Sequence, residues 1–93
     1  MSFSKAYSEG MKATLQALAR KDRQLWLEVF KKMNQIAYSD EITIDHYKNM
    51  KYGLADYKRV HVGKSFVLFF KVLKEEKMIF FDRLMHHDDA YRR

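Results

Sequence analysis

The chain has 93 residues, enough for one domain over 1–93 but not for two. With 47% apolar and 15% aromatic residues, no cysteine and no proline, it is not a disordered chain, a disulfide framework or a thiolate metal site. Its formal charge of +6 points to polyanionic partners, either nucleic acid or an acidic protein.

In the first half, Ser4 can cap a helix in which Tyr7, Met11, Leu15 and Leu18 recur at helical spacing. Lys21-Asp22 interrupts that pattern, and Asp22 is a candidate cap for the next helix. There Trp26, Val29, Phe30, Met33, Ile36 and Ala37 form an apolar stripe, with Glu28, Lys31 and Lys32 on the other side. The short joint predicts an antiparallel helical hairpin. Residues 39–56 are polar and irregular, so a loop is expected, with a turn of helix near Ile42 to His46. His46 is expected in solvent.

The second half reads as strands. Tyr57 to Val62 alternates, with Val60 and Val62 on one face and Arg59 and His61 on the other. Gly63-Lys64 is a turn. Phe66 to Leu73 is a nearly continuous apolar run, as in a central strand buried on both faces. Lys74-Glu75-Glu76-Lys77 is a charged hairpin turn, and Met78 to Met85 is a further strand. Three strands with short turns predict an antiparallel meander. Helices followed by strands imply an α+β fold in which the hairpin covers one sheet face and leaves the other partly open. The strand-rich part is also the more basic: nine Lys/Arg against five Asp/Glu over 57–93 (+4), compared with nine against seven over 1–56 (+2). No apolar stretch approaches the roughly 20 residues needed to span a membrane. No apolar segment follows Met1–Lys5 as in a secretory signal. A cytoplasmic protein with no membrane partner is therefore expected.

The chain closes on Leu84-Met85-His86-His87-Asp88-Asp89-Ala90-Tyr91 before the terminal arginines. Histidine gives and takes protons near neutral pH, and Tyr91 falls four residues after His87. If Val60 and Val62 face the helices, Arg59 and His61 face outward, and the end of the last strand can bring His86, His87, Tyr91 and Arg83 to the same rim. Lys48 and Lys51 would lie on the adjoining loop, with Lys58 next to Arg59. This inventory suits RNA cleavage without a metal or cofactor. A base takes the 2′-OH proton, cations stabilise the phosphorane-like transition state, and an acid protonates the leaving 5′-oxygen. Each residue also has a plainer reading: His61 as a hydrogen-bonding strand residue, His86 as an exposed one, and the cations as solubilising. Which of His86 and His87 faces the site depends on register, because a slip of one residue exchanges them. Adjacent His-His-Asp-Asp side chains diverge and lack metal-binding spacing, so no metal is expected. Phosphate loops and acyl-transfer triads are absent too.

The order of two helices and three strands resembles the RelE/ParE toxin superfamily, its RelE and YafQ side in particular. The resemblance rests on Tyr57-Lys58-Arg59-Val60-His61-Val62-Gly63, Phe66-Val67-Leu68-Phe69-Phe70-Lys71-Val72, Phe80-Phe81-Asp82-Arg83 and the closing His-His-Asp-Asp-Ala-Tyr. The opening Phe3-Ser4-Lys5-Ala6-Tyr7 is similar to the first strand and helix start of these toxins, so a short N-terminal strand is implied. The resemblance implies a ribosome-dependent endoribonuclease that cuts mRNA in the A site and is silenced by an antitoxin wrapped over its basic surface, with a heterotetramer as one assembly. By position it implies catalytic roles for Arg59, His61 and His87. Tyr91 would stack on a base or assist proton transfer, and Lys48, Lys51, Lys58, Arg83 and His86 would contact RNA. RelE-type members often carry an arginine where this chain has Val67, whereas YafQ-like members are apolar there and rely on histidines. That implies more work for His61 and His87, with Arg59 or Arg83 supplying the cation. Two other readings share the residues: a ParE-like inhibitor of DNA gyrase, and a non-catalytic basic module that binds RNA or protein.

Overall fold

A computed structural model describes residues 3–40, 42–49 and 57–90. Strand β1 (Ser4–Tyr7) leads into helices α1 (Glu9–Lys21) and α2 (Arg23–Ala37). A turn of 3-10 helix (Thr43–His46), a two-residue strand β2 (Lys48–Asn49), and strands β3 (Tyr57–Val62), β4 (Phe66–Leu73) and β5 (Met78–His86) follow. A last turn of helix, α3, spans His87–Ala90. The sheet order is β1-β5-β4-β3-β2. β1 runs parallel to β5, and every other pair is antiparallel. The expected α+β layering, helical hairpin and meander are all present.

Ser4 begins a strand and does not cap a helix. Residues 4–7 pair with 78–81 at the sheet edge, a long-range contact that outweighs the local helical spacing. The cap is Ser8, whose Oγ accepts from the Met11 N–H at 2.9 Å. Asp22 caps α2 as expected, accepting from the Leu25 N–H at 3.1 Å.

The stripe of α2 is rotated from the expected one. Leu25, Val29, Met33, Ile36 and Ala37 are buried, following i, i+4, i+8, i+11 and i+12. Trp26 and Phe30 stack on each other at 5.3 Å along the flank, with Phe30 exposed. The helices bury Met11, Val29, Met33 and Ile36 against Val62, Leu68, Phe70, Ile79 and Phe81 of the sheet.

β4 is buried on both faces, with Val67, Leu68, Phe69 and Phe70 all inaccessible or nearly so, as its unbroken apolar run predicts. Gly63 makes the β3–β4 turn at a φ of 60°, a left-handed conformation suited to glycine.

Residues 42–49, within the expected loop, are more ordered than a loop. Ile44 is fully buried, and the Tyr47 ring meets Phe70 edge-on at 5.5 Å. Asp40 accepts from the N–H groups of Ile42 and Thr43, and its hydrogen bonds, that from Thr43 foremost, hold the carboxyl below the usual value. The anchored turn delivers β2 to the edge of β3, so Lys48 lies on a strand and not in the expected loop.

The pairing of β4 with β5 shifts by one residue. Phe69 faces Arg83, but Phe70 faces Phe81, leaving Asp82 as an extra residue in a β-bulge. A bulged residue loses its place in the ladder. Here Ser8 supplies the partner: its N–H donates to the Phe81 carbonyl at 3.0 Å and its hydroxyl donates to the Asp82 carbonyl. One serine therefore caps α1 and closes the bulge. Ser8→Ala removes a helix cap and strands a part-buried carbonyl, and should cost about 2 kcal/mol of stability, read as a lowered denaturant midpoint with unchanged slope.

Candidate active site on the open face of the sheet

Partners across an antiparallel ladder share a face, so the register assigns the surface opposite the helices row by row. His61, Val67 and Met85 form one row; Arg59, Phe69 and Arg83 form the next; Tyr57, Lys71 and Phe80 form the third. Rows lie about 7 Å apart, two residues along a strand. Val67 and Phe69 are buried at 0% and 6% exposure, so the charged and aromatic side chains of β3 and β5 stand over an apolar floor. Lys48 is in register with Arg59 on β2 and joins this face.

The bulge decides which histidine reaches the site. With Ile79 and Phe81 facing the core, strict alternation would turn His86 outward and His87 inward. The extra residue reverses the parity beyond Asp82. Arg83 and Met85 face outward, and Leu84 packs against the core. His86 meets the Phe66 ring edge-on at 5.6 Å, on the helix side of the sheet. His87 stacks on His61 with ring centroids 5.5 Å apart and planes inclined by 26°. Its backbone N–H donates to the Ser65 carbonyl at 2.6 Å, which fixes the start of α3 beside the β3–β4 turn. Asp88 reaches toward both neighbours, 3.8 Å from His86 Nδ1 and 3.9 Å from His87 Nδ1.

The structure thus brings His61, His87, Arg59, Arg83 and Lys48 to one face and separates His86 and Lys58 from it. Lys58 Nζ donates to the Tyr47 carbonyl at 3.1 Å and to Asn49 Oδ1 at 2.8 Å, pinning β2 in place. Arg59 Nη1 donates to the Asn49 carbonyl at 3.1 Å, and Arg83 Nε lies 3.0 Å from Asp82 Oδ2. Lys51 and Tyr91 fall outside the described residues. Among the described residues no group of three or more His, Asp or Glu is placed to hold a metal ion, and no helix is long and apolar enough to cross a membrane.

Chemically, two imidazoles lie within one substrate's reach, with guanidinium groups one row away on the strands either side of an apolar floor. Such a surface can accept a proton, donate another, and stabilise an anion forming between them. Ser8 and Asp82 belong to no chemical motif of the sequence, yet they set the facing of this strand. The available signal was the spacing Ile79-x-Phe81-x-x-Leu84, in which apolar alternation skips a residue at the bulge.

No family model matches this sequence. A relative does: RelE4 of Methanocaldococcus jannaschii is 39% identical over 79 residues, covering 85% of this chain and 80% of its own. The chain belongs to the RelE/ParE toxin superfamily. Solved structures agree on the fold. The YoeB/ParE toxin of Agrobacterium tumefaciens superposes with a TM-score of 0.73 at 8% identity, over 90% of this chain and 98% of its own. YafQ of E. coli gives 0.64 at 13% identity, over 97% and 99%. The E. coli RelBE toxin–antitoxin complex gives 0.65 at 13% identity, over 89% and 94%.

The facing of the two histidines is directly measurable. In a nuclear Overhauser spectrum the His87 ring protons should contact those of His61, and the His86 ring should contact Phe66. The reverse pattern would mean that β5 has no bulge in solution.

Proposed function

We propose that this chain is the toxin of a toxin–antitoxin pair and acts as a ribosome-dependent endoribonuclease that cuts mRNA and blocks translation in the cytoplasm. The observation that carries this reading is the His61–His87 stack on a face that also bears Arg59, Arg83 and Lys48. Membership of the RelE/ParE superfamily supports it. In the cleavage step one imidazole of the pair takes the proton from a ribose 2′-OH. The 2′-oxygen attacks the adjacent phosphorus. The other imidazole protonates the departing 5′-oxygen, leaving a 2′,3′-cyclic phosphate and a free 5′-OH. Arg59 and Arg83 neutralise the charge on the phosphorane oxygens. Lys48 and Lys51 hold the RNA backbone, and Tyr91 stacks on a base beside the cut. No metal enters the scheme.

The same face would be the one a cognate antitoxin covers, since a protein that hides these cations and the imidazole pair prevents RNA from docking. The likeness to RelE as it stands in the RelBE complex supports such a partner, and a heterotetramer of two toxins and two antitoxins is the proposed assembly.

Induced expression with primer extension on a reporter mRNA tests the reading. The unaltered chain should arrest growth and leave discrete cuts within the translated frame. His87→Ala should fold normally, and its cleavage should fall by roughly 10²–10⁴-fold, the worth of one general acid or base. His86→Ala, on the other side of the sheet, should cut nearly as well as the unaltered chain. Full arrest by His87→Ala would sink the assignment, and arrest without cuts would point to a ParE-like target such as gyrase. Association with ribosomes or RNA should also weaken steeply with salt as counterions return to the phosphates. A flat salt profile in a filter-binding titration would contradict a surface that tracks the RNA backbone.

A further inference from the structure

Asp88, the second residue of α3, stands between the two histidines that precede it. Its Oδ2 lies 3.8 Å from His86 Nδ1 and its Oδ1 lies 3.9 Å from His87 Nδ1. The distances are nearly equal, but the two contacts are not equivalent. The Asp88 backbone N–H also donates to His86 Nδ1 at 3.2 Å, so the His86 ring takes the second amide of the helix as a cap does. A ring nitrogen that accepts a hydrogen bond carries no proton. Neutral His86 therefore keeps its proton on Nε2, and its Nδ1 has none to give the Asp88 carboxylate. At His87 Nδ1, by contrast, Asp88 offers the carboxylate itself. An ionised carboxylate only accepts hydrogen bonds, so this contact favours a proton on that nitrogen. The hydrogen bond made at one ring nitrogen decides what the other can do.

We propose that Asp88 is a positioning residue that sets the two histidines in opposite tautomers. Its amide keeps the His86 proton on Nε2, and its carboxylate keeps the His87 proton on Nδ1. The catalytic consequence rests on the reading of this face as an RNA-cleaving surface. With Nδ1 held by Asp88, His87 exchanges protons with RNA through Nε2, whether it serves as the base or as the acid. The same contact fixes the rotation of the ring, and with it the stack on His61. At 3.9 Å it is longer than a hydrogen bond. Catalytic hydrogen bonds are often long in the free protein and tighten once substrate is bound. Asp88 itself touches neither the RNA nor the reacting atoms. His86 is not needed to seat α3, because the His87 N–H on the Ser65 carbonyl at 2.6 Å fixes the start of that turn.

The test reads ring tautomers in isotopically labelled full-length protein by long-range proton–nitrogen correlation, at about pH 8, where an ordinary imidazole is neutral. His86 should carry its proton on Nε2 and His87 on Nδ1. Asp88→Ala removes the carboxylate but keeps the amide, so His87 alone should change, toward the Nε2–H form that an unconstrained imidazole favours. Asp88→Asn, whose Oδ1 still accepts, should restore the Nδ1–H form. In single-turnover cleavage on ribosomes carrying mRNA, Asp88→Ala should slow the step at saturation on the order of tenfold, the worth of one hydrogen bond to a charged group. Its half-saturating concentration should stay the same, and Asp88→Asn should recover part of the rate. His87 with its proton on Nε2 in the unaltered chain would overturn the proposal. So would a His87 ring that Asp88→Ala leaves unchanged, or His86 and His87 changing together, which marks a merely structural role. If Asp88→Ala fails to fold, the tautomers of the unaltered chain decide. Opposite tautomers in a chain that cuts no RNA remove the nuclease reading and leave the assignment of Asp88. His87-dependent cutting without opposite tautomers removes the positioning role alone.

Discussion

One extra residue in β5, held by one serine, sets the arrangement of the open face. The bulge at Asp82 changes which side chains of the last strand face the helices. Before it, Ile79 and Phe81 fill the core. After it, Leu84 does so, and the outward set becomes Arg83, Met85 and His87. A bulge weakens a ladder by leaving backbone groups unpaired, so it persists only where something else satisfies them. Ser8 does this from the start of α1, with its N–H on Phe81 and its hydroxyl on Asp82. The parallel pairing of β1 with β5, ending at Tyr7 opposite Phe81, places Ser8 there. The N-terminal strand, which adds only four residues to the sheet, therefore matters most for where it leaves the next residue.

The apolar floor is the second constraint. Because β4 contributes the buried Val67 and Phe69 to the open face, the charged groups of β3 and β5 stand beside apolar surface. Electrostatic interactions over such a surface are stronger than between fully solvated side chains. The groups also stand on strands rather than on loops, which fixes their spacing. Lys58 contributes to this indirectly. Its bonds to Tyr47 and Asn49 hold β2 against β3, and β2 in turn carries Lys48 and presents the Asn49 carbonyl to Arg59. A lysine that resembles an RNA contact in the sequence serves the site by building its edge.

What the sequence disclosed follows the range of the interactions involved. The helical hairpin, the Asp22 cap, the Gly63 turn and the doubly buried β4 rest on local periodicity and turn chemistry, and they were legible. The outward facing of Arg59 and His61 followed from alternation against Val60 and Val62. Ser4 fits a helix start by its spacing to Tyr7, whereas the N-terminal strand, which only the resemblance implies, forms through residues more than seventy positions away. Trp26 and Phe30 join the apolar stripe by size and spacing, but Leu25 occupies the face turned to the sheet. The choice between His86 and His87 was open on periodicity alone. It depends on a bulge whose trace is one missed beat between Phe81 and Leu84, and whose cause, Ser8, lies at the other end of the chain.

Val67 bears on how the proposed cleavage divides its labour. It sits in the row between His61 and Met85, where RelE-type toxins, by the resemblance, carry an arginine. A guanidinium there would stand beside His61, its cross-strand partner, and add positive charge next to the proposed acid–base pair. Acid–base cleavage requires one imidazole to hold a proton at the outset and the other to gain one. An apolar residue there adds no charge, while cations one row away, at Arg59 and Arg83, can act on the phosphate oxygens in the proposed step. In the proposed scheme the positive charge stands a single row, about 7 Å, from the histidine pair. Valine at this position is therefore compatible with the proposed cleavage.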